Sequence, residues 1–430
     1  MAVNHNPDDL KTWKLLFRAV RSPNYRLFFG GQGISLIGTW IQLVAMSWLV
    51  YRLTHSPFLL GFVGFAGQIP AFLISPFAGV LIDRWDRHRV LLLTQLLSMI
   101  QALLLGLLDL TGRISVWQIV LLALLLGVVN AFDMPARQAF VVEMVENPGD
   151  LGNAIALNSF LFNGARLVGP SIGGILISVL GEGICFLLNA LSFVAVLFAL
   201  LAMKVGTRGR DKSRSPLWIE LKEGFSYAFG FAPIRSLLLL LALVSLAGMP
   251  YTVLMPVFAK TILQGGPQTY GFLMGVTGVG ALIGALYLAS RTTVVGLGRV
   301  IIVALNIFGA GLIAFSFSRT LALSMGFLFL AGFGMMVQMA SCNTIIQTIV
   351  EEDKRGRVMS FYAMAFMGMV PFGSLLAGSL ASSIGAPWTV AIGGVACMAG
   401  SILFARQLPN IRKMVRPIYL DKGILREDQN

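Results

Sequence analysis

Twelve apolar runs, each long enough to cross a lipid bilayer, follow one another along this chain with only short clusters of charge, Gly and Pro between them. Their limits are 27–50, 57–81, 90–109, 116–137, 154–180, 183–203, 236–259, 270–290, 299–317, 320–346, 358–384 and 387–405. A helix needs about 20 apolar residues to span the hydrocarbon core, and the runs meet that length. Leu121 to Val129 is apolar on every face, whereas a strand of a membrane barrel alternates lipid-facing with polar lumen-facing residues. Composition agrees: Asp, Glu, Lys and Arg make up 12% of the 430 residues, against roughly 25% in a soluble domain, and the mean hydropathy is +0.81. Too few charges remain to coat a water-facing surface. The expected class is an all-α membrane protein with twelve transmembrane helices.

The formal charge of +13 invites a nucleic-acid reading, but the placement of the charges argues against it. With both termini on one side, 27 of the 32 Lys and Arg fall on that side, 4 (Arg52, Arg113, Lys260, Arg319) on the other, and Arg166 lies within a run. Cytoplasmic loops are enriched in Lys and Arg. The asymmetry therefore predicts cytoplasmic termini, residence in the plasma (inner) membrane, and a lipid bilayer rather than nucleic acid as the partner. The 26 residues before the first run are mostly polar or basic, and that run is too long for the apolar core of a signal peptide, so it is read as a retained span. Cys185, Cys342 and Cys397 are scattered through apolar runs without CxxC spacing, which points to packing rather than to disulfides or a thiolate metal site.

The longest polar interruption, Lys204 to Arg235, divides the spans six and six. The expected organisation is an N-terminal segment (1–26), a first six-helix bundle (27–203), a linker (204–235), a second bundle (236–405) and a tail (406–430). Within the linker, Leu217, Leu221, Phe225 and Ala228 recur at helical spacing opposite Glu220, Lys222 and Glu223. That pattern reads as an amphipathic helix on the membrane surface, or else as a solvated connector. Gly174-Ile-Leu-Ile-Ser178-Val-Leu-Gly181 matches Gly378-Ser-Leu-Ala-Ser382-Ser-Ile-Gly385 at equivalent places in the two halves, in keeping with an internal duplication of the kind transporters use. Gly271, Gly275, Gly280 and Gly284 form two GxxxG units, which permit close helix approach.

Signatures of soluble enzymes fail in turn. There is no GxxxxGK phosphate loop, so no nucleotide cofactor is expected. Gly169-Pro170-Ser171-Ile172-Gly173 matches GxSxG, but a nucleophile elbow needs a strand-to-helix turn and a His partner. The only histidines, His5, His55 and His88, lie on a tail and two loops. No catalytic residue, cofactor or metal is assigned.

One loop has more order than a solvated basic turn requires: Gly79-Val-Leu81-Ile-Asp83-Arg84-Trp-Asp86-Arg87-His88-Arg89. It resembles the G-x-L-a-D-r-x-G-r-k signature of the major facilitator superfamily at Gly79, Leu81, Asp83, Arg84 and Arg87. Asp86 stands where the second Gly would be and His88 where Lys would be, as in the branch that includes enterobactin exporters and macrolide efflux proteins. Ala131-Phe132-Asp133-Met134-Pro135-Ala136-Arg137 is similar to that branch, as is Arg166-Leu-Val-Gly169-Pro170-Ser-Ile-Gly173-Gly174. The second stretch also resembles the antiporter motif ending G-P-x-x-G-G, a helix-bend element, with Ala165 where that motif has Gly. The resemblance covers spans, loops and linker and implies two pseudo-symmetric six-helix bundles around a central cavity lined by spans one, four, seven and ten. It also implies a gating role for Gly79, Asp83, Arg84 and Arg87, and a monomer.

Asp133 and Arg166 fall within apolar runs, where ionisable groups are costly and usually face a cavity or a partner. They are the candidate transport and coupling residues. They are read as a charge pair, or as a proton-sensitive acid with an anion anchor. The alternatives are a contact between Asp133 and a loop Arg, and a static ion pair for Arg166. Gln32, Ser35, Thr39 and Gln42 share one helical face of span one, which should meet water or protein rather than lipid. With Asn130, Tyr251, Gln338, Ser341 and Asn343 they are the candidate cavity residues, interhelical hydrogen bonding being the alternative. Met335, Met336, Met339, Met364, Met367 and Met369 gather in the second half, as a permissive binding surface or as core filling.

The function expected is alternating-access export of a small organic compound, a drug, siderophore or similar amphiphile, with protons as the coupling ion. Uptake or facilitated diffusion through the same fold and, in a different class, a membrane-embedded enzyme are the alternatives.

Overall fold

A computed structural model describes residues 17–204, 226–291 and 293–425 of the chain. Most of the proposed amphipathic linker helix, 217–225, lies outside the described residues. Twelve helices among the described residues are long and apolar enough to cross a membrane. They are α1 (Pro23–Thr54), α2 (Pro57–Arg84), α3 (Arg87–Leu110), α4 (Val116–Met144), α5 (Leu151–Leu180) and α6 (Glu182–Ala202). In the second half come α7 (Ala232–Ile262), α8 (Pro267–Ala289), α9 (Leu297–Phe317), α10 (Leu321–Ile349), α11 (Arg355–Ile384) and α12 (Ala386–Asp421). Every expected span is present. Several helices run past their apolar limits, because backbone hydrogen bonding continues where the side chains turn polar. α12 is the extreme case, continuing from the expected 405 through Pro409 and Pro417 to Asp421.

Two compact units emerge, Met1–Met46 with Leu73–Lys212, and Ser47–Phe72 with Ser213–Asn430. Lipid tails are as apolar as Leu, so helices in a membrane gain little from hydrophobic burial and rely on close packing over small residues. In the first unit α1 takes this role. A Cβ on Gly31 would sit 3.0 Å from the Ala195 carbonyl of α6, and one on Gly173 of α5 3.2 Å from the Ile41 Cα. An apolar core of Tyr25, Phe28, Ile82, Phe140, Met144 and Leu200 fills one end. In the second unit the GxxxG glycines of α8 meet α10: a Cβ on Gly284 would lie 2.9 Å from the Phe333 carbonyl, and Gly280 abuts the Phe329 backbone. Gly61 of α2 and Gly378 of α11 touch backbone to backbone, a Cβ on either lying 2.8 Å from the other's Cα. α7 contains two π-turns, Val244–Gly248 and Phe258–Ile262, which no hydropathy pattern foretells. The three cysteines are buried and unbridged.

The repeated Gly-Ser-Gly octets acquire a physical reason. Gly181 is the single residue between α5 and α6, and Gly385 the single residue between α11 and α12. Their dihedrals nearly coincide, φ +80° and ψ 170° against φ +87° and ψ 154°, a region essentially restricted to glycine. Each amide donates to the carbonyl four residues back, Ile177 or Ala381, and the next helix begins at once. Replacing Gly181 or Gly385 with Ala is expected to destabilise the fold by about 1–3 kcal/mol, read as a lowered midpoint in thermal unfolding of the purified protein. An unchanged midpoint for both variants would show that the turn tolerates a Cβ.

Candidate functional site

The chemistry of the first unit centres on α4. Its polar stretch follows Asn130, and Pro135 sits inside the helix without breaking it. Asp133 is 2% exposed, a position where a charge is costly unless paired and hydrogen-bonded. Three donors meet it. Thr94 donates from Oγ1 at 2.9 Å and Gln95 from Nε2 at 2.7 Å, both from α3, and the Arg137 guanidinium, one turn along α4, forms an ion pair with the other carboxylate oxygen. Thr94 and Gln95 are themselves buried. The Thr94 hydroxyl has a second acceptor, the Leu91 carbonyl at 3.0 Å. Among the described residues the buried Gln95 carbonyl oxygen has no partner.

Arg137 sits at the end of the expected span but is helical, and it is the cation that Asp133 holds. The ion pair in this structure is therefore Asp133 with Arg137, i and i+4 on one helix face, a contact with a nearby Arg of the kind held as the alternative to a pair with Arg166. Arg166 lies half-buried midway along α5. Close below it, Gly169 and Gly173 bring α5 against α1, a Cβ on Gly169 lying 2.5 Å from the Trp40 Cβ. Pro170 and Gly174 are buried in the same helix, which stays continuous across the proline.

The loop between α2 and α3 is tied into this unit at several points. Arg87 pairs with Glu143 of α4 at 2.8 Å, Trp85 stacks on Phe132 with centroids 6.1 Å apart, and His88 Nε2 lies 2.8 Å from the Leu200 carbonyl of α6. Asp86, the departure from the signature, is the N-cap of α3, accepting from the Arg89 amide at 3.2 Å. Gly79 has open space where a Cβ would go, Arg84 is exposed at the end of α2, and Asp83 lies in the last turn of that helix.

The polar face of α1 divides. Gln32 and Ser35 are buried, and Thr39 is exposed with its hydroxyl on the Ser35 carbonyl. Gln42 makes the interhelical hydrogen bonds held as the alternative to a cavity role. Its amide donates to Gln101 of α3 at 2.9 Å and accepts from Asn189 of α6 at 2.7 Å, and Gln101 goes on to the Leu122 carbonyl of α4 at 3.2 Å. Through these bonds it fastens four helices. Gln101 and Asn189, which the sequence reading missed, were visible only as lone amides in apolar runs. Removing one partner strands the others, so Gln42→Leu is expected to destabilise by about 1–3 kcal/mol, read as an earlier loss of monodisperse protein on heating in detergent. Equal thermal tolerance of variant and wild type would remove the fastening role.

In the second unit, Tyr251 is buried against Phe308 with ring centroids 6.2 Å apart. Gln338 and Ser341 of α10 are completely buried; the Gln338 amide nitrogen points at Cys342 Sγ at 3.4 Å, while among the described residues Gln338 Oε1 and Ser341 Oγ have no partner. Asn130 and Asn343 are half-buried, Asn343 accepting from Gln347 at 2.9 Å.

Comparison with known proteins bears on the family and the fold. A family model described as a transmembrane secretion effector matches residues 17–417. The staphyloferrin A transporter of Staphylococcus aureus is 28% identical over 384 residues, covering 88% of this chain and 95% of its own. Macrolide efflux protein A of Streptococcus pyogenes is 24% identical, covering 87% and 91%. The crystal structure of a bacterial homologue of the human lysosomal transporter Spinster superposes with a TM-score of 0.70 over 91% of this chain and 98% of that one, at 16% identity. A multi-pass, twelve-helix membrane transporter and not an enzyme, the chain belongs to the transmembrane secretion effector family of the major facilitator superfamily.

Proposed function

We propose that this protein exports a small amphiphilic organic compound, of the siderophore or drug class, across the plasma membrane in exchange for protons. It works by alternating access, as a monomer, with both termini in the cytoplasm and two six-helix halves (27–203 and 236–405) joined by the 204–235 linker. The relatives named above support the substrate class, and the bias in Lys and Arg supports the orientation. The observation that carries the coupling is the enclosure of Asp133 by Thr94, Gln95 and Arg137.

That enclosure serves both protonation states. As a carboxylate, Asp133 accepts from all three neighbours, and Arg137 offsets its charge in a low-dielectric setting. When Asp133 takes up a proton its hold on Arg137 weakens, Thr94 turns its single hydroxyl proton to the Leu91 carbonyl, and the Gln95 amide turns over so that its unpartnered oxygen, in place of Nε2, accepts the new O–H. Proton binding is thereby converted into release of the cation on α4. Arg166 serves as an anchor for an anionic group of the cargo. Gln32, Ser35, Thr39, Asn130, Tyr251, Gln338, Ser341 and Asn343 meet cargo or water as access changes, while Gly79, Asp83, Arg84 and Arg87 form the gate.

The test is flux in proteoliposomes, after a panel of siderophores and macrolides has been screened by thermal stabilisation of the purified protein. An imposed pH gradient is expected to drive uphill movement of the stabilising compound with proton counterflow. Flux indifferent to the gradient would remove the coupling, and flux in the opposite sense would remove export.

A further inference from the structure

Within the second unit, the start of α7 and the polar extension of α12 enclose a groove of about 230 Å³. Arg235 is its charged lining group, and Ser236, Gln407 and Asn410 are the polar ones. Ser236 Oγ bonds Gln407 Oε1 at 2.7 Å, which ties the two helices together across the groove. Among the described residues the Arg235 guanidinium has one acceptor, the Phe229 carbonyl at 3.5 Å, the outer limit of a hydrogen bond. No carboxylate lines the groove among the described residues. Ala232, at the first turn of α7, lines the same groove, so the positive end of the helix dipole faces it.

The groove has an apolar continuation. Leu403, Gln407, Asn410 and Met414 recur at steps of 4, 3 and 4, so they share one face of α12, and Leu403 is 58% exposed. On α7, Leu239 lies one turn beyond Arg235 and is 55% exposed. A cationic and polar pocket thus runs into two exposed leucines on adjacent helices. A free inorganic anion has no use for the leucines, and an acyl chain alone has none for the guanidinium. Arg406 and Lys413, both exposed, flank the same face.

The geometry points to a specific site for one anionic glycerophospholipid, its phosphate held by Arg235 and the Asn410 amide and its acyl chain laid along Leu239 and Leu403. This rests on the membrane-spanning fold and the cytoplasmic placement of the α7 and α12 ends, and is independent of the cargo and of proton coupling. Occupancy bridges α7 to α12 and holds the α12 extension against the bundle.

The experiment uses the full chain, delipidated in detergent and incubated with phosphatidylglycerol, phosphatidylcholine or inorganic phosphate. Lipid retained per protein is read by native mass spectrometry, alongside the unfolding midpoint. Phosphatidylglycerol is expected to be retained and to raise the midpoint, with phosphatidylcholine and phosphate doing neither. Arg235→Gln is expected to weaken retention by about tenfold, the worth of a charge-assisted hydrogen bond. Arg416→Gln, on the opposite face of α12, is expected to leave it unchanged. Asn410→Trp, which fills the groove without touching Arg235, is a second variant should Arg235→Gln fold poorly, and it too is expected to lose the lipid. Equal retention of phosphatidylcholine, an equal shift with phosphate alone, or undiminished retention by the folded variants would each overturn the assignment.

Discussion

Asp133→Asn is expected to abolish uphill export while leaving a folded protein that still lets cargo run downhill. One proton crossing about 100 mV releases roughly 2.3 kcal/mol, enough to sustain approximately a 50-fold cargo gradient. A side chain that cannot exchange a proton cannot use that energy, so the gradient held by the variant falls to about one. The fold survives because Asn still accepts from Thr94 and Gln95, and Arg137, whose side chain is 27% exposed, reaches water. Arg137→Gln is a different case. It leaves a buried carboxylate without its cation, a loss of about 3–5 kcal/mol for a broken buried pair. Steady-state gradients in proteoliposomes separate the outcomes, and an Asp133→Asn protein that holds the wild-type gradient would exclude Asp133 as the proton carrier.

Adding bulk where α2 and α11 touch is expected to have the next largest effect. At Gly61 and Gly378 the two backbones meet with no room for a Cβ, so Gly61→Val forces the helices apart at an overpacking cost of about 1–3 kcal/mol. If the contact exists in only one of the two access states, that penalty falls on one side of the equilibrium and shifts the populations by about 5- to 150-fold. Turnover should then drop with little change in cargo binding, and cysteines placed along α11 should change their labelling rate in step. Unaltered turnover and labelling would mean that the contact persists through the cycle.

What could be read from the sequence followed the range of the interactions involved. The spans were legible because hydropathy over twenty residues reports the solvent directly. The pairing of Asp133 with Arg137 was within reach as an i,i+4 spacing, but hydropathy alone set the end of the fourth run at Arg137 and made that residue look like a loop cation. Asp86 looked like a departure from a signature until the start of α3 showed it capping a helix. The interhelical bonds of Gln42 could not be told from a cavity role in advance because its partners, Gln101 and Asn189, lie 59 and 147 residues away, and nothing in a periodic stripe distinguishes a face turned to water from one turned to a neighbouring amide. The first π-turn of α7 ends at Gly248, which is packed closely against Phe308 and Cys397, and neither π-turn leaves a local trace in the sequence.

The single-residue joints at Gly181 and Gly385 bear on how the chain is made. With no loop to park between them, α5 and α6, and again α11 and α12, must leave the translocation machinery as preformed helical hairpins, each second helix entering the lipid with the first. An epitope inserted at either joint would uncouple that paired entry during synthesis, whereas the same insertion in the four-residue stretch after Thr111, Gly112–Ser115, would be borne by an ordinary loop.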